Sequence, residues 1–303
     1  MITALFLTVL ASPAHFEAPV QLLVPMQDGT EEAADEKQPK RAEIWPEVRK
    51  DQKKDLKTEI LRLRKAGTEG MAIGGRDALI KLGAVAAPDL IKALGKERDE
   101  DARKRIVEVL DSITGWEHTR LLAERFGDRS EHVRLFTLRR AAAFPDEGIR
   151  QAAVAALAAA EKRIDTKNEI KHEAYYAALA VVSSGDLAAL DILSKRAEKL
   201  WAGSGAEIRI AVEAVRGDEA TEVLAKQIAD GKRKQKVAAL RLLAGCGSAE
   251  RGKALAKKSL SDSDNSIRVA AINAMRGIVD GDLPIDKLSV FEAVELANQW
   301  KSR

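Results

Sequence analysis

Catalysis and metal binding need side chains that ionise, ligate or attack, so the scarce histidines and cysteine of this 303-residue chain come first. His15, His118, His132 and His172 are scattered, and no two stand at metal-ligand spacing. Cys246 is alone, which excludes an intrachain disulfide, a zinc knuckle and a CxxC pair. Its setting, LLAGCG, reads as core. The stretch DSDNSI from Asp262 starts like a calcium loop. It fails because Ile267 stands where the loop needs glycine and Asn273 where it needs a bidentate glutamate. Gly70 and Gly75 in GMAIGGRD have phosphate-loop spacing, but Arg76 and Asp77 replace the required Lys and Ser/Thr. The GSG at 203–205 lacks the frame of a nucleophile elbow. No carboxylate pair stands out among 47 acids. These residues predict no catalytic, metal or cofactor site, and a protein that is not an enzyme.

Charge is the remaining chemical resource. The chain carries a net +3, close to balance, but residues 226–258 hold ten basic against two acidic residues, a net of +8. Lys232, Arg233 and Lys234 form its densest run. An anionic polymer or surface is the partner such a segment would attract. It contains no aromatic residue for base stacking, which disfavours nucleic acid. A plain solvated helix face is the favoured reading of the segment.

The elements that carry these residues are helical. From Pro46 onward, helix-length segments follow one another, broken by short Gly, Asp, Ser or Pro turns, and no alternating β-branched run occurs. A pattern recurs along them. Basic-type residues at 76, 103, 134, 172, 209, 236 and 268 are spaced by 27 to 38 residues. Positions three, four, six and seven after each are mostly apolar, which marks one wide helical face. An upstream partner helix, such as AAPDLIKAL with Pro88 in its first turn, precedes several of them. Self-similarity near 30 residues with two helices per unit predicts an all-α fold, an α-solenoid of about seven two-helix repeats. Arg103, Arg134, Arg209 and Arg268 are then repeat anchors. Asp99 and Asp264, four residues before Arg103 and Arg268, are turn residues placed to cap the next helix and meet a basic anchor of their own or a neighbouring unit.

The marks Pro88, Asp99 and Arg103 in APDLIKAL…DEDARKRIVEVLDSITG, and Asp264 and Arg268 in the last unit, resemble HEAT repeats of the short type first associated with bilin lyases. The resemblance covers about residues 70–280. The units at His172 and Arg209 depart from it, with long steps and no turn Asp. It implies a binding scaffold in most cases and a lyase, glycosylase or other enzyme in a minority. It also implies that second helices line the inner side of the array. Residues five positions after each anchor would then form a recognition column. Its polar members are Lys81, Glu108, Arg139, Arg241 and Asn273, and Tyr176 beside Tyr175 lies mid-array. The expected partner is another protein, with no small-molecule substrate indicated.

The ends differ from the array. Ile2–Leu10 is apolar, and Ser12 and Ala14 suit a cut after Ala14, so residues 1–14 read as a signal peptide without a basic n-region. That places the protein in the periplasm or outside the cell; retention in the cytoplasm is the alternative. Residues 15–44 read as a disordered linker and 45–69 as an N-terminal helix. Residues 281–303 read as a capping helix that buries Leu288, Phe291, Val294, Leu296 and Trp300.

Overall fold

The computed structural model describes residues 40–65, 69–163, 173–285 and 287–303, with backbone alone for residue 69 and residues 195–204. The signal-peptide reading of 1–14, most of the linker and the anchor His172 lie outside these residues.

Among the described residues every regular element is helical: α1 (Gln52–Arg64), α2 (Glu69–Leu82), α3 (Ala87–Leu94), α4 (Glu100–Ile113), α5 (Thr119–Ala123), α6 (Glu131–Ala142), α7 (Arg150–Lys162), α8 (Glu173–Ser183), α9 (Leu190–Glu213), α10 (Asp218–Asp230), α11 (Arg233–Cys246), α12 (Arg251–Ser259), α13 (Asn265–Val279) and α14 (Val290–Ser302). Six hairpins are formed: α1/α2, α3/α4, α5/α6, α7/α8, α10/α11 and α12/α13. The second helices stack in series, α6 on α8, α8 on α9, α9 on α11 and α11 on α13, and α14 closes on α13. This is an all-α solenoid of HEAT-like repeats. Stacking removes the apolar stripe of each hairpin from water, at roughly 25 cal/mol per Å².

Close stacking depends on small residues. A Cβ added at Gly277 of α13 would lie 2.3 Å from the Ala244 carbonyl oxygen on α11. One added at Gly245 of α11 would lie 2.4 Å from the Val212 side chain on α9.

The anchors work through the backbone. Asp99 caps α4, accepting from the Ala102 amide at 2.7 Å, and Asp264 caps α13, accepting from Ser266 at 2.8 Å. Their arginines do not pair with them. Arg103 donates to the carbonyl of Arg98 at 2.8 Å, Arg134 to Asp128 at 2.8 Å and Arg268 to Asp262 at 2.8 Å. Each guanidinium satisfies carbonyls of the turn five or six residues behind it, which have no helical partner. The pairing across units goes from Arg233 to Asp264 at 2.5 Å. A second set of arginines caps the C-terminal ends of neighbouring helices. Arg105 donates to Leu63, Arg140 to Asp111, Arg150 to Ser184 and Arg216 to Gly245.

Three expectations change. Arg209 is not a repeat anchor. It sits inside α9, a single helix of 24 residues that replaces a hairpin, so no turn precedes it. It donates instead to the carbonyls of Gly281 and Asp282, far along the chain. Residues 40–44 are docked rather than loose. Arg41 donates to Trp116 O at 2.6 Å and Pro145 O at 3.1 Å and pairs with the buried Asp146 at 3.2 Å. The cap also turns a different face inward. Ala293, Ala297 and Trp300 are buried, with Leu288 and Leu296 partly so, while Phe291 and Val294 are exposed. The capping box of Ser289 and Glu292 fixes where α14 starts, and its two alanines let the backbone approach α13.

Candidate functional site

The buried core falls into two clusters that meet at α5 and α6. On the second-helix side at this junction, α4 and α6 stand apart and leave a groove of about 420 Å³. Leu94, Val107, Leu135 and Phe136 give it apolar walls. Glu100, Arg103, Lys104 and His132 supply polar groups, and Arg139 and Tyr176 complete the lining. The same two residues also line a smaller hollow of about 60 Å³, shared with Leu179, Glu207 and Ile210.

Arg139 is held in place. Its Nη2 donates to both oxygens of Asp111 at 2.6 Å, tying α6 to the last turn of α4. Burial works against its charge, but the attraction and hydrogen bond of Asp111 outweigh that and raise its pKa. The adjacent Arg140 anchors the end of α4 through the Asp111 and Thr114 carbonyls. Tyr176 comes from α8, where Tyr175 turns into the core and Tyr176 is half-buried, the two rings 5.0 Å apart. Burial, then the nearby Glu207 carboxylate, raises the Tyr176 pKa, so the phenol stays protonated. Glu207 is raised too: desolvation of its carboxyl on the hollow side exceeds the opposing pull of Arg139. Burial lowers His132, with Arg103 adding to the effect, so its imidazole is neutral at pH 7. The groove therefore combines apolar walls, one pinned guanidinium and a phenol donor, and the adjoining hollow adds the Glu207 carboxyl, which takes up protons more readily than usual. That set suits binding of a chain segment with one apolar and one hydrogen-bonding residue.

The expected column is only partly assembled here. Arg139 and Tyr176 line the groove. Lys81 and Glu108 are exposed on α2 and α4 but do not line it, and Arg241 is half-buried on α11. Asn273 is not a surface contact at all. It is 5% exposed, and its amide closes two hydrogen bonds with the Ile285 backbone, at 3.0 and 2.9 Å. Arg233 is engaged with Asp264 and donates to Ser266 Oγ at 2.6 Å, whereas Lys232 and Lys234 are exposed at the start of α11. The basic segment is spread over α10, α11 and α12.

Sequence reasoning passed over Asp111 and Glu207 and weighed His132 only as a metal ligand. Asp111 and Arg139 are 28 residues apart, one repeat step, and a search for opposite charges at that interval would have paired them. Glu207 carried no such signal, because the unbroken α9 removes the repeat frame around it. Cys246 is fully buried and its thiol is pushed up to about 12 by desolvation. His118 is structural: it stacks on Trp45 at 5.1 Å, and its Nδ1 accepts from the Gly115 amide at 3.1 Å. Among the described residues no group of three or more His, Cys, Asp or Glu is placed to hold a metal, and no helix is long and apolar enough to cross a membrane.

No family model matches the chain, and no curated protein does. Among solved structures it is similar to the complex of CpcE and CpcF of phycocyanin lyase from Nostoc sp. PCC7120, with 16% identity and a TM-score of 0.42, over 91% of this chain and 99% of that one. It is also similar to an engineered protein, with 18% identity and a TM-score of 0.32, over 80% of this chain and 71% of that one. One expectation is corrected by this. The expectation that the chain is not an enzyme does not stand: a solved structure it is similar to is that of a phycocyanin lyase.

Proposed function

We propose that this chain is a HEAT-like scaffold that holds another protein on its second-helix side, with the groove between α4 and α6 as the docking point. The observation that carries this reading is the groove itself. There the stacked second helices separate, leave apolar walls open and place Arg139 and Tyr176 at one site. Aromatic and arginine side chains in a desolvated pocket are the residues that dominate binding energies between proteins. Capture of partners from the native host tests it. A partner held by the wild type should be lost from a Tyr176→Ala, Leu135→Glu double variant and retained by a Lys81→Ala, Glu108→Ala double variant. Equal capture by both would remove the groove from the account.

The partner is sought outside the cytoplasm. Support for that comes from Ile2–Leu10 and the small residues Ser12 and Ala14. Intact mass of the protein from its host decides it, through a mature chain that starts at His15 or one that retains Met1.

A further inference from the structure

A second cavity, of about 520 Å³, opens where the end of α3 meets the turn between α5 and α6, and it shares no lining residue with the groove between α4 and α6. Four of its lining residues are cations. Lys92 and Lys96 come from the end of α3, and Arg125 and Arg129 from the turn that links α5 to α6. All four are exposed. Lys92, Lys96 and Arg129 form no ion pair among the described residues, and Arg125 reaches Asp128 at 4.0 Å. The lining acids are Asp89 and Asp128, and Asp128 also accepts from the Ser130 amide at 2.9 Å. Acids close by in sequence do not offset the cations. Glu97 pairs with Arg64, Glu131 acts on His132 and Arg134, and Glu124 lies outside the lining. The lining carries four positive charges against two negative ones, a net of +2. Like charges gathered on one cavity repel one another, and an anion that enters relieves this. Ser130 and Val133, the N-cap and third residue of the 12-residue α6, are also in the wall, so the positive end of that helix adds to the same field.

Size and chemistry narrow the ligand. The volume lies in the range of small-molecule pockets. Two guanidiniums and two ammoniums suit an oxyanion with several acceptor oxygens and close to two negative charges, which describes a phosphate monoester. Pro88, Ile91 and Val133 give the cavity an apolar side for the rest of the molecule. No aromatic residue lines it, so a nucleobase has nothing to stack on. We propose that this cavity binds a phosphate monoester with a small, non-aromatic body, held by Lys92, Lys96, Arg125 and Arg129.

Isothermal titration of the full chain with glycerol 3-phosphate at low salt tests this. Saturable binding of one molecule per chain is expected, and it should weaken as salt rises. Glycerol, which lacks the phosphate, should not bind. Lys96→Ala with Arg129→Ala should weaken binding by about tenfold or more, with the melting temperature unchanged because both side chains are exposed and form no ion pair. Lys232→Ala with Lys258→Ala removes two exposed cations elsewhere on the array and should leave binding intact. Vesicles of phosphatidylcholine with phosphatidic acid present the same group on a lipid. Binding to these that disappears in the Lys96, Arg129 variant, with none to glycerol 3-phosphate, would keep the site and place its phosphate on a lipid headgroup. Absence of binding to either probe overturns the proposal. So does binding that both double variants weaken equally, which would be attraction to the charged surface as a whole. The groove variants at Leu135 and Tyr176 should bind the ester as the wild type does, which separates this result from the fate of the groove.

Discussion

Arg134 and Glu173 meet as a doubly hydrogen-bonded pair between α6 and α8, Nε to Oε1 at 2.8 Å and Nη2 to Oε2 at 2.9 Å, with both side chains almost wholly buried. Arg163 also donates to Glu173 Oε1, and Arg134 uses its remaining nitrogen on the Asp128 and Arg129 carbonyls. The pair locks the two helices that bear Arg139 and Tyr176. Removing one partner strands a buried charge, at about 3 to 5 kcal/mol. Glu173→Ala should therefore lower unfolding stability by that amount in urea titration and loosen the groove.

The same pair sets an acid limit. Burial pushes the Glu173 carboxyl up, but hydrogen bonds from Arg134 and Arg163 overcome it and hold its pKa below the usual value. A depressed folded pKa stabilises above the unfolded pKa, about 4.3, and that contribution is lost as pH falls through the folded value. Melting temperature should drop more steeply below about pH 4 in the wild type than in Glu173→Gln, which has no proton to bind there. Parallel curves would show that Glu173 is not depressed.

Turn chemistry is expected to be modest and local. Asp99→Ala removes one N-cap bond and should cost about 1 kcal/mol. Asn273→Ala removes two buried hydrogen bonds to Ile285 and should cost about 2 kcal/mol. Hydrogen exchange distinguishes them: the first should speed exchange at the start of α4, the second in the 281–289 segment and α14. Unchanged exchange at α14 in Asn273→Ala would remove the staple from the account.

Helix spacing should be sensitive to one methyl group. Gly277→Ala places a Cβ against the Ala244 carbonyl, so α11 and α13 must separate. Overpacking of this kind costs about 1 to 3 kcal/mol, measurable by denaturant unfolding. Gly70→Ala, where a Cβ meets nothing within 4 Å, should be neutral or stabilising.

Much of this architecture was legible in the residues. The basic anchors at 103, 134 and 268 revealed the repeat because each guanidinium does the same local job, closing the turn just behind it. Arg209 misled for a physical reason: the type of residue is visible in sequence, and Gly203, Ser204 and Gly205 just before it read as a turn, but α9 runs on through them without a break. Asn273 misled in a similar way. Its position five residues after an anchor suggested an outward side chain, yet the returning segment at Ile285 covers it. Two of the groove's lining residues were legible as binding candidates, Arg139 and Tyr176, from their place in the array. The separation of α4 from α6 that opens it depends on packing between units, and no single segment encodes that.

The docking role of the groove is tested most directly by site-specific photocrosslinking in the native host. A photoreactive residue replaces Leu135 in the groove or, as a control, Glu222 on α10. The expected result is one discrete adduct with another protein from position 135, absent from position 222 and abolished by Tyr176→Ala. Adducts that form equally from both positions, or none from position 135 in cells where the protein is abundant and folded, would contradict the proposed docking point.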